Sequence, residues 1–218
     1  PADAQALPGR HAQPLGHARR DPGGARVGRA SGAAIGERKR AIERPGLIDS
    51  LEFDRHGGAI RADGGTVLLT AEGVGSLTSL AINNRGLIEA EGLGSGPGGS
   101  IRLLGGGGAT VSTGKISTAA PGGKGGYVEM TGGSVELAGN ALVDASGGSG
   151  GGTILVGGDY QGKNARVANS DRTTVGSGVL LKADATRSGS GGKVIVWSDG
   201  YTKFDGTISA RGAGETEG

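Results

Sequence analysis

Two glycine-rich stretches have a spacing that could bind a nucleotide. Residues 94–99, "GSGPGG", match the G-x-G-x-x-G pattern of dinucleotide-binding proteins, and residues 112–117, "STGKIS", contain the Gly-Lys pair of a phosphate-binding loop. The first stretch lacks the helix and the acidic partner that should follow it. The second has Ala109 where the loop needs its first glycine and Ile116 where it needs Ser or Thr. The sequence therefore predicts no nucleotide cofactor.

Residues that bind metal ions or act in catalytic triads are scarce. The chain contains no Cys, which excludes thiolate metal sites and disulfides, and its histidines are His11, His17 and His56. The first two fall in a basic N-terminal stretch, so neither a zinc site nor a histidine-based triad is favoured. We therefore expect no metal and no cofactor.

The elements that would position any site follow a repeat of glycine pairs. Five pairs each precede a short segment in which apolar and polar residues alternate, a pattern typical of strands with one buried face. The second residue after each pair is expected to be buried, and these residues are Val67, Ile101, Val128, Ile154 and Val194. The next position is mixed, and there Glu129 is predicted to face solvent. We interpret the glycine pairs as corners that need positive φ and in which a Cβ would clash with neighbouring coils.

A second motif, first seen as "AIRADG" at residues 59–64, recurs in phase with the glycine pairs. Its six copies are separated by 27 or 28 residues, except for one step of 38 residues between Ala145 and Ala183. A period near 27 with short strands and no helical pattern predicts an all-β fold, a parallel β-helix whose coils stack at about 4.8 Å. A flat β-sandwich is the alternative, although it would not need the copies to repeat in the same order. We assign about six coils to residues 47–218.

Residues 1–46 differ in kind from the repeat. They hold 9 of the 23 Lys and Arg residues and 5 of the 7 prolines, but 4 of the 21 acidic residues. They show no strand or helix period, so we predict a disordered basic segment. A solvated linker is favoured over a nucleic-acid or membrane-surface role, and no nucleic-acid partner is expected. A shifted reading frame upstream of the true coding segment is a third interpretation.

The repeat also decides whether carboxylates could form a hydrolytic pair. Glycoside hydrolysis needs two acids about 5–9.5 Å apart. The aligned column within the second motif carries one residue per coil: Arg61, Glu89, Ser117, Asp144, Lys182 and Ser209. Adjacent coils never place two acids together, and Asp144 would lie one coil from Lys182, within reach of an ion pair. We therefore predict that the protein is not an enzyme, with a β-helical polysaccharide lyase or hydrolase as the alternative.

Two stretches carry a resemblance to a known family. Residues 151–164, "GGTILVGGDYQGKN", and 189–212, "GSGGKVIVWSDGYTKFDGTISARG", resemble the repeat region of filamentous-haemagglutinin-like exoproteins, the secreted partners of two-partner secretion systems. A looser resemblance extends back to about residue 47. It implies a long right-handed β-helix that is exported through an outer-membrane barrel transporter, is secreted or attached to the cell surface, and serves adhesion or related contacts. The family's Asn-Pro-Asn secretion motif does not occur here, so we expect an internal or C-terminal segment of a longer protein.

The single long step predicts an insertion, because extra residues within a strand would move its buried face to the outside. The polar stretch 157–174 fills the interval between the strand that ends near Val156 and the one that begins near Val179. Loops on a rigid scaffold often carry binding residues. The candidate contact residues are Asp159, Tyr160, Lys163, Arg166, Asp171 and Arg172, a mixture suited to a sugar or an acidic partner. A loop that only braces the adjacent coil is an equally open interpretation.

These observations together predict a non-catalytic stalk within a large secreted or surface-attached exoprotein that presents contact loops for cell or matrix adhesion. Its expected partners are an unidentified receptor or glycan on a host or neighbouring cell and, during export, the outer-membrane transporter. No apolar run reaches the roughly 18–20 residues of a membrane-spanning helix, so no transmembrane segment is expected. A stalk for contact-dependent toxin delivery is a further alternative.

Overall fold

The computed structural model describes residues 54–56, 58–71 and 80–214, and this part of the chain consists mainly of short parallel strands and the turns between them. The strands form three sheets around one core, so the predicted parallel β-helix is confirmed. The basic segment 1–46, for which the sequence predicts disorder, lies outside the described residues.

Each complete coil contributes one strand to each of three parallel sheets. The first sheet consists of β1 (Asp54–His56), β4 (Leu80–Asn84), β7 (Ala109–Ser112), β10 (Ser134–Leu137), β13 (Arg172–Val175) and β16 (Tyr201–Phe204). The second sheet consists of β2 (Ala59–Arg61), β5 (Leu87–Glu89), β8 (Lys115–Ser117), β11 (Leu142–Asp144), β14 (Leu180–Lys182) and β17 (Thr207–Ser209). The third sheet consists of β3 (Thr66–Thr70), β6 (Ser100–Leu104), β9 (Tyr127–Thr131), β12 (Thr153–Val156) and β15 (Lys193–Val196).

The register of the sheets places equivalent residues of successive coils in continuous columns. In the third sheet the paired residues are, in order, Val67, Ile101, Val128, Ile154 and Val194. In the second sheet they are Ile60, Ile88, Ile116, Val143, Leu181 and Ile208. Both alignments that the sequence predicts are therefore confirmed.

These columns meet in one aliphatic core. Val128 and Ile154 have no solvent exposure, and the same holds for Leu103, Met130 and Leu181. Among the described residues, the core cluster contains Val, Leu, Ile, Ala and Met and no aromatic ring. Each buried aliphatic side chain contributes roughly 1.5–3 kcal/mol. Many small stacked side chains thus replace the large rings of which the sequence has few.

The strands of the first sheet are the ones that the sequence analysis did not locate. Several of their buried residues are polar, which hides the alternation of apolar and polar positions. Asn84 donates a hydrogen bond to Ser112 Oγ in the next coil at 3.1 Å, and both residues have no solvent exposure. Thr173 donates to the carbonyl oxygen of Trp197 at 2.7 Å. Buried polar groups are tolerated here because each finds a partner across the coils.

The glycine pairs are required by close approach between coils rather than by backbone conformation. At Gly151 and Gly152 the expectation of positive φ is wrong, since neither residue is among the positive-φ glycines. A Cβ on Gly152 would overlap the carbonyl oxygen of Gly126 in the preceding coil, and a Cβ on Gly192 would overlap that of Gly152. The expected clash with neighbouring coils is therefore the physical reason for the repeat.

We expect Gly152→Ala to destabilise the protein by about 1–3 kcal/mol, because the added Cβ must displace the backbone of the coil beside it. The matched control is Gly107→Ala. Gly107 is exposed, has no atom within 4 Å of its Cβ position, and should change the free energy of unfolding by less than about 0.5 kcal/mol. Urea unfolding of both variants measures the difference, and equal midpoints would contradict the close-approach explanation.

We expect Val128→Lys to cost several kcal/mol, because the ammonium group would be buried without a partner in the core. The same residue introduced at Glu136, which is exposed on β10, should cost less than about 0.5 kcal/mol. Thermal unfolding followed by circular dichroism checks both. If the two variants lose the same stability, the assignment of the buried face is wrong.

The 157–171 insertion as the candidate contact site

The longest described connection between strands lies at the corner from the third sheet to the first. Residues 157–171 separate β12 from β13, whereas residues 105–108 and 197–200 make the same corner in other coils. We call residues 157–171 the insertion. The last three residues of the predicted interval 157–174 belong to β13.

Asp159 lies at the start of the insertion and its carboxylate is engaged inside the protein. It is 9% exposed and accepts hydrogen bonds from Asn164 Nδ2 at 2.8 Å and from the Tyr160 N–H at 2.7 Å. Lys193 Nζ on β15, in the next coil, lies 3.2 Å from Asp159 Oδ1. The bonds from Asn164 and Tyr160 hold the pKa of Asp159 below its ordinary value. This carboxylate therefore links the insertion to the coil that follows it.

Trp197 forms the surface against which the insertion packs. A Cβ added to Gly158 would lie 2.8 Å from Trp197 Cδ1, so only a glycine permits this approach. Asn169 Nδ2 donates to the carbonyl of Gly162 at 3.0 Å and to Asp199 Oδ1 at 3.1 Å. Trp197 Nε1 also donates to Asp199 Oδ1, at 3.2 Å. Sequence reasoning did not select Trp197, although it is the single Trp of the chain.

The tip of the insertion, residues 160–166, presents exposed side chains. Tyr160 is 68% exposed, and Lys163 and Arg166 are exposed as well. Lys163 Nζ donates to Gln161 Oε1 at 2.7 Å, and in the described part of the chain no carboxylate forms an ion pair with Lys163 or Arg166. Gln161 has φ of 57°, the one positive value at a described residue other than glycine. The tip thus combines an aromatic ring with two unpaired cations.

Asp171 and Arg172 lie at the opposite end of the insertion and belong to a different surface. Arg172 begins β13, and its guanidinium carbon lies 5.4 Å from the centre of the Tyr201 ring, within range of a cation–π contact. The Asp171 carbonyl accepts the backbone N–H groups of Gly200 and Tyr201. No hydrogen bond joins these two residues to the tip among the described residues. The structure therefore brings together Tyr160, Lys163 and Arg166 on one segment and places Asp171 and Arg172 elsewhere.

The outer face of the third sheet is covered in this region, which the sequence did not predict. Glu129 points away from the core columns, yet it is 1% exposed, so the expectation that it faces solvent is wrong. Arg102 donates to both of its oxygens at 3.0 and 2.9 Å, and the Tyr127 hydroxyl donates at 2.7 Å. Burial and the bond to Glu129 raise the pKa of Tyr127. Leu155, at the equivalent position of the next coil, is 2% exposed.

The carboxylates on the second sheet alternate with cations instead of pairing with each other. Arg61 Nε lies 2.8 Å from Glu89 Oε2, and Lys182 Nζ lies 3.9 Å from Asp144 Oδ2. The neighbour of Asp144 in the preceding coil is Ser117. Within the described residues, no group of three or more His, Asp or Glu residues could hold a metal ion. The stretch 94–99 is followed by strand β6, not by the helix of a dinucleotide site.

Comparison with known proteins gives a structural relative. The chain is similar to the HMW1 secretion domain from Haemophilus influenzae, with a TM-score of 0.62 and 29% sequence identity. The match covers 72% of this chain and 40% of that domain. No family model matches the sequence, and no curated protein matches it. In the described residues, no helix is long and apolar enough to cross a membrane.

We expect Glu129→Gln to destabilise the protein by about 1–3 kcal/mol, because the Arg102 guanidinium and the Tyr127 hydroxyl lose a charged acceptor. The Arg102 side chain keeps 36% exposure, so water replaces part of the loss. Glu136→Gln, on an exposed face, is the isosteric control and should stay within about 0.5 kcal/mol. Chemical unfolding decides, and an effect of Glu129→Gln as small as the control would contradict the buried network.

Proposed function

We propose that the chain is a non-catalytic segment of a secreted or surface-attached exoprotein, a β-helical stalk whose insertion makes adhesive contacts with another cell or with matrix. The observation that carries the proposal is the similarity to the HMW1 secretion domain, which spans 72% of this chain. A relation to a secretion domain supports export of a β-helical protein. It also makes an outer-membrane barrel transporter the expected partner during export.

The adhesive part of the proposal rests on the insertion. A stack of coils with buried columns is a rigid support, and it holds the tip outside the regular surface of the helix. Tyr160 offers an exposed ring, and Lys163 and Arg166 offer cations without acidic partners among the described residues. This combination suits a sugar or an acidic group on a partner surface. The ligand would be an unidentified receptor or glycan.

The catalytic alternative has less support. A lyase or hydrolase that uses two carboxylates needs them on neighbouring positions, and the second-sheet column places cations or Ser between the acids. A stalk for toxin delivery would use the same scaffold. Adhesion and delivery differ in outcome, since delivery would reduce the viability of the contacted cells.

We expect the triple variant Tyr160→Ala/Lys163→Ala/Arg166→Ala to reduce cell adhesion by about tenfold, close to the effect of losing one well-placed contact of 1.4 kcal/mol. Beads coated with the purified chain are counted on cultured epithelial cells and on matrix-coated plates. The melting temperature should not change, because the tip side chains are exposed.

The charge-matched control is Lys124→Ala/Lys182→Ala, which removes two cations from other surfaces. Wild-type adhesion by this control separates a specific contact from general electrostatic attraction. If beads coated with the unchanged chain do not adhere at all, the adhesive function is wrong. Release of unsaturated sugar products from acidic polysaccharides would instead favour a lyase.

A further inference from the structure

The residues of the insertion fall into two groups with different contacts. One group, the dock, consists of Asp159, Asn164 and Asn169 together with Lys193 and Trp197 of the next coil. The other group is formed by the exposed tip side chains. We propose that Asp159 is the positioning residue that docks the insertion as a separate unit on the following coil. This inference goes beyond the proposed function and does not depend on adhesion.

The Asp159 carboxylate collects donors from three separate parts of the chain. The Tyr160 N–H belongs to the adjoining backbone, Asn164 lies further along the insertion, and Lys193 belongs to β15. The Asp159 side chain is 13% exposed, against 53% for Lys193. A carboxylate that is largely buried and charged has to keep these donors, because losing one would leave it incompletely solvated.

A second ion pair of the same residue types shows why burial matters. Lys203 Nζ lies only 2.7 Å from Asp205 Oδ2, but the two side chains are 53% and 45% exposed. Exposed pairs of this kind contribute little to stability because water screens them. Distance alone would rank this pair above the Asp159–Lys193 pair at 3.2 Å. The additional donors and the burial make Asp159 the stronger anchor.

Trp197 completes the dock from the other side. Gly158 and Gly162 approach its ring so closely that a Cβ on either would lie within 3 Å of an indole atom. Asn169 closes the insertion by donating to the Gly162 carbonyl and to Asp199. The insertion is therefore held at its start by the carboxylate, and along its length by the indole. Undocking would expose the half-buried Trp197, the single Trp of the chain.

The tip side chains take no part in this attachment. The side-chain hydrogen bonds of Tyr160 and Lys163 are made to Gln161 within the tip, and no described residue bonds to the Arg166 guanidinium. Tip side chains can therefore change without loosening the dock. The contact surface becomes a variable part carried on a fixed attachment.

Tryptophan fluorescence of the full chain tests the proposal directly. We expect Asp159→Asn to shift the Trp197 emission to longer wavelength and to raise acrylamide quenching at least about twofold, because the undocked ring gains solvent. Lys193→Met should act in the same direction, and Lys193→Arg should restore quenching to the wild-type level. The double variant Asp159→Asn/Lys193→Met should quench no more than Asp159→Asn alone, since both changes break one contact. Strand circular dichroism and its melting midpoint should remain as in the wild type.

Asp205→Asn is the matched control, because it removes a carboxylate from an exposed Lys–Asp pair near the same corner. The control should leave emission and quenching unchanged. The proposal is overturned by unchanged emission in Asp159→Asn, by additive effects in the double variant, or by an equal response in Asp205→Asn. Loss of the strand signal together with undocking would also overturn it, because the insertion would then not be a separate unit. None of these results depends on whether the chain adheres to cells.

Discussion

The distance between neighbouring coils is the constraint on which the rest of the structure depends. Parallel strands stack at about 4.8 Å, so at the corners the backbone of one coil lies directly on the backbone of the next. At Gly152 the carbonyl of Gly126 occupies the space that a side chain would need, and Gly192 stands in the same relation to Gly152. The glycine pairs fix where each coil turns. The turns in turn fix the register, and the register aligns the aliphatic columns.

Much of this architecture is readable from the sequence because the repeat is visible at every level. The alignment of glycine pairs predicts the column that contains Val128 and Ile154, and the register confirms it. The first sheet is harder to predict, since its interior includes Asn84 and Thr173, whose hydrogen bonds reach into other coils. A single strand with polar residues on its buried face looks like a turn when its neighbours in space are not known.

The candidate site is less predictable than the fold because the roles of its residues depend on long-range contacts. Asp159 and Lys163 look equivalent in the sequence as charged residues of a polar stretch. The structure gives the first a partner on β15 and leaves the second exposed. Glu129 is a comparable case, since its burial depends on Arg102 from the previous coil. A period reveals which positions recur, but an insertion occurs once and has no second copy with which to compare it.

The pairing of each strand with its equivalent in the next coil has a consequence for how the chain reaches this structure. Partners in β6 and β9, such as Arg102 and Glu129, are 27 residues apart, and most coils repeat that separation. Every new coil therefore closes a loop of similar length, and the entropic cost of closure does not grow as the stack lengthens. A solenoid of this kind can add coils in sequence order onto an existing end, each stabilised by its neighbour. Assembly time should then increase with the number of coils rather than with the separation of the chain ends.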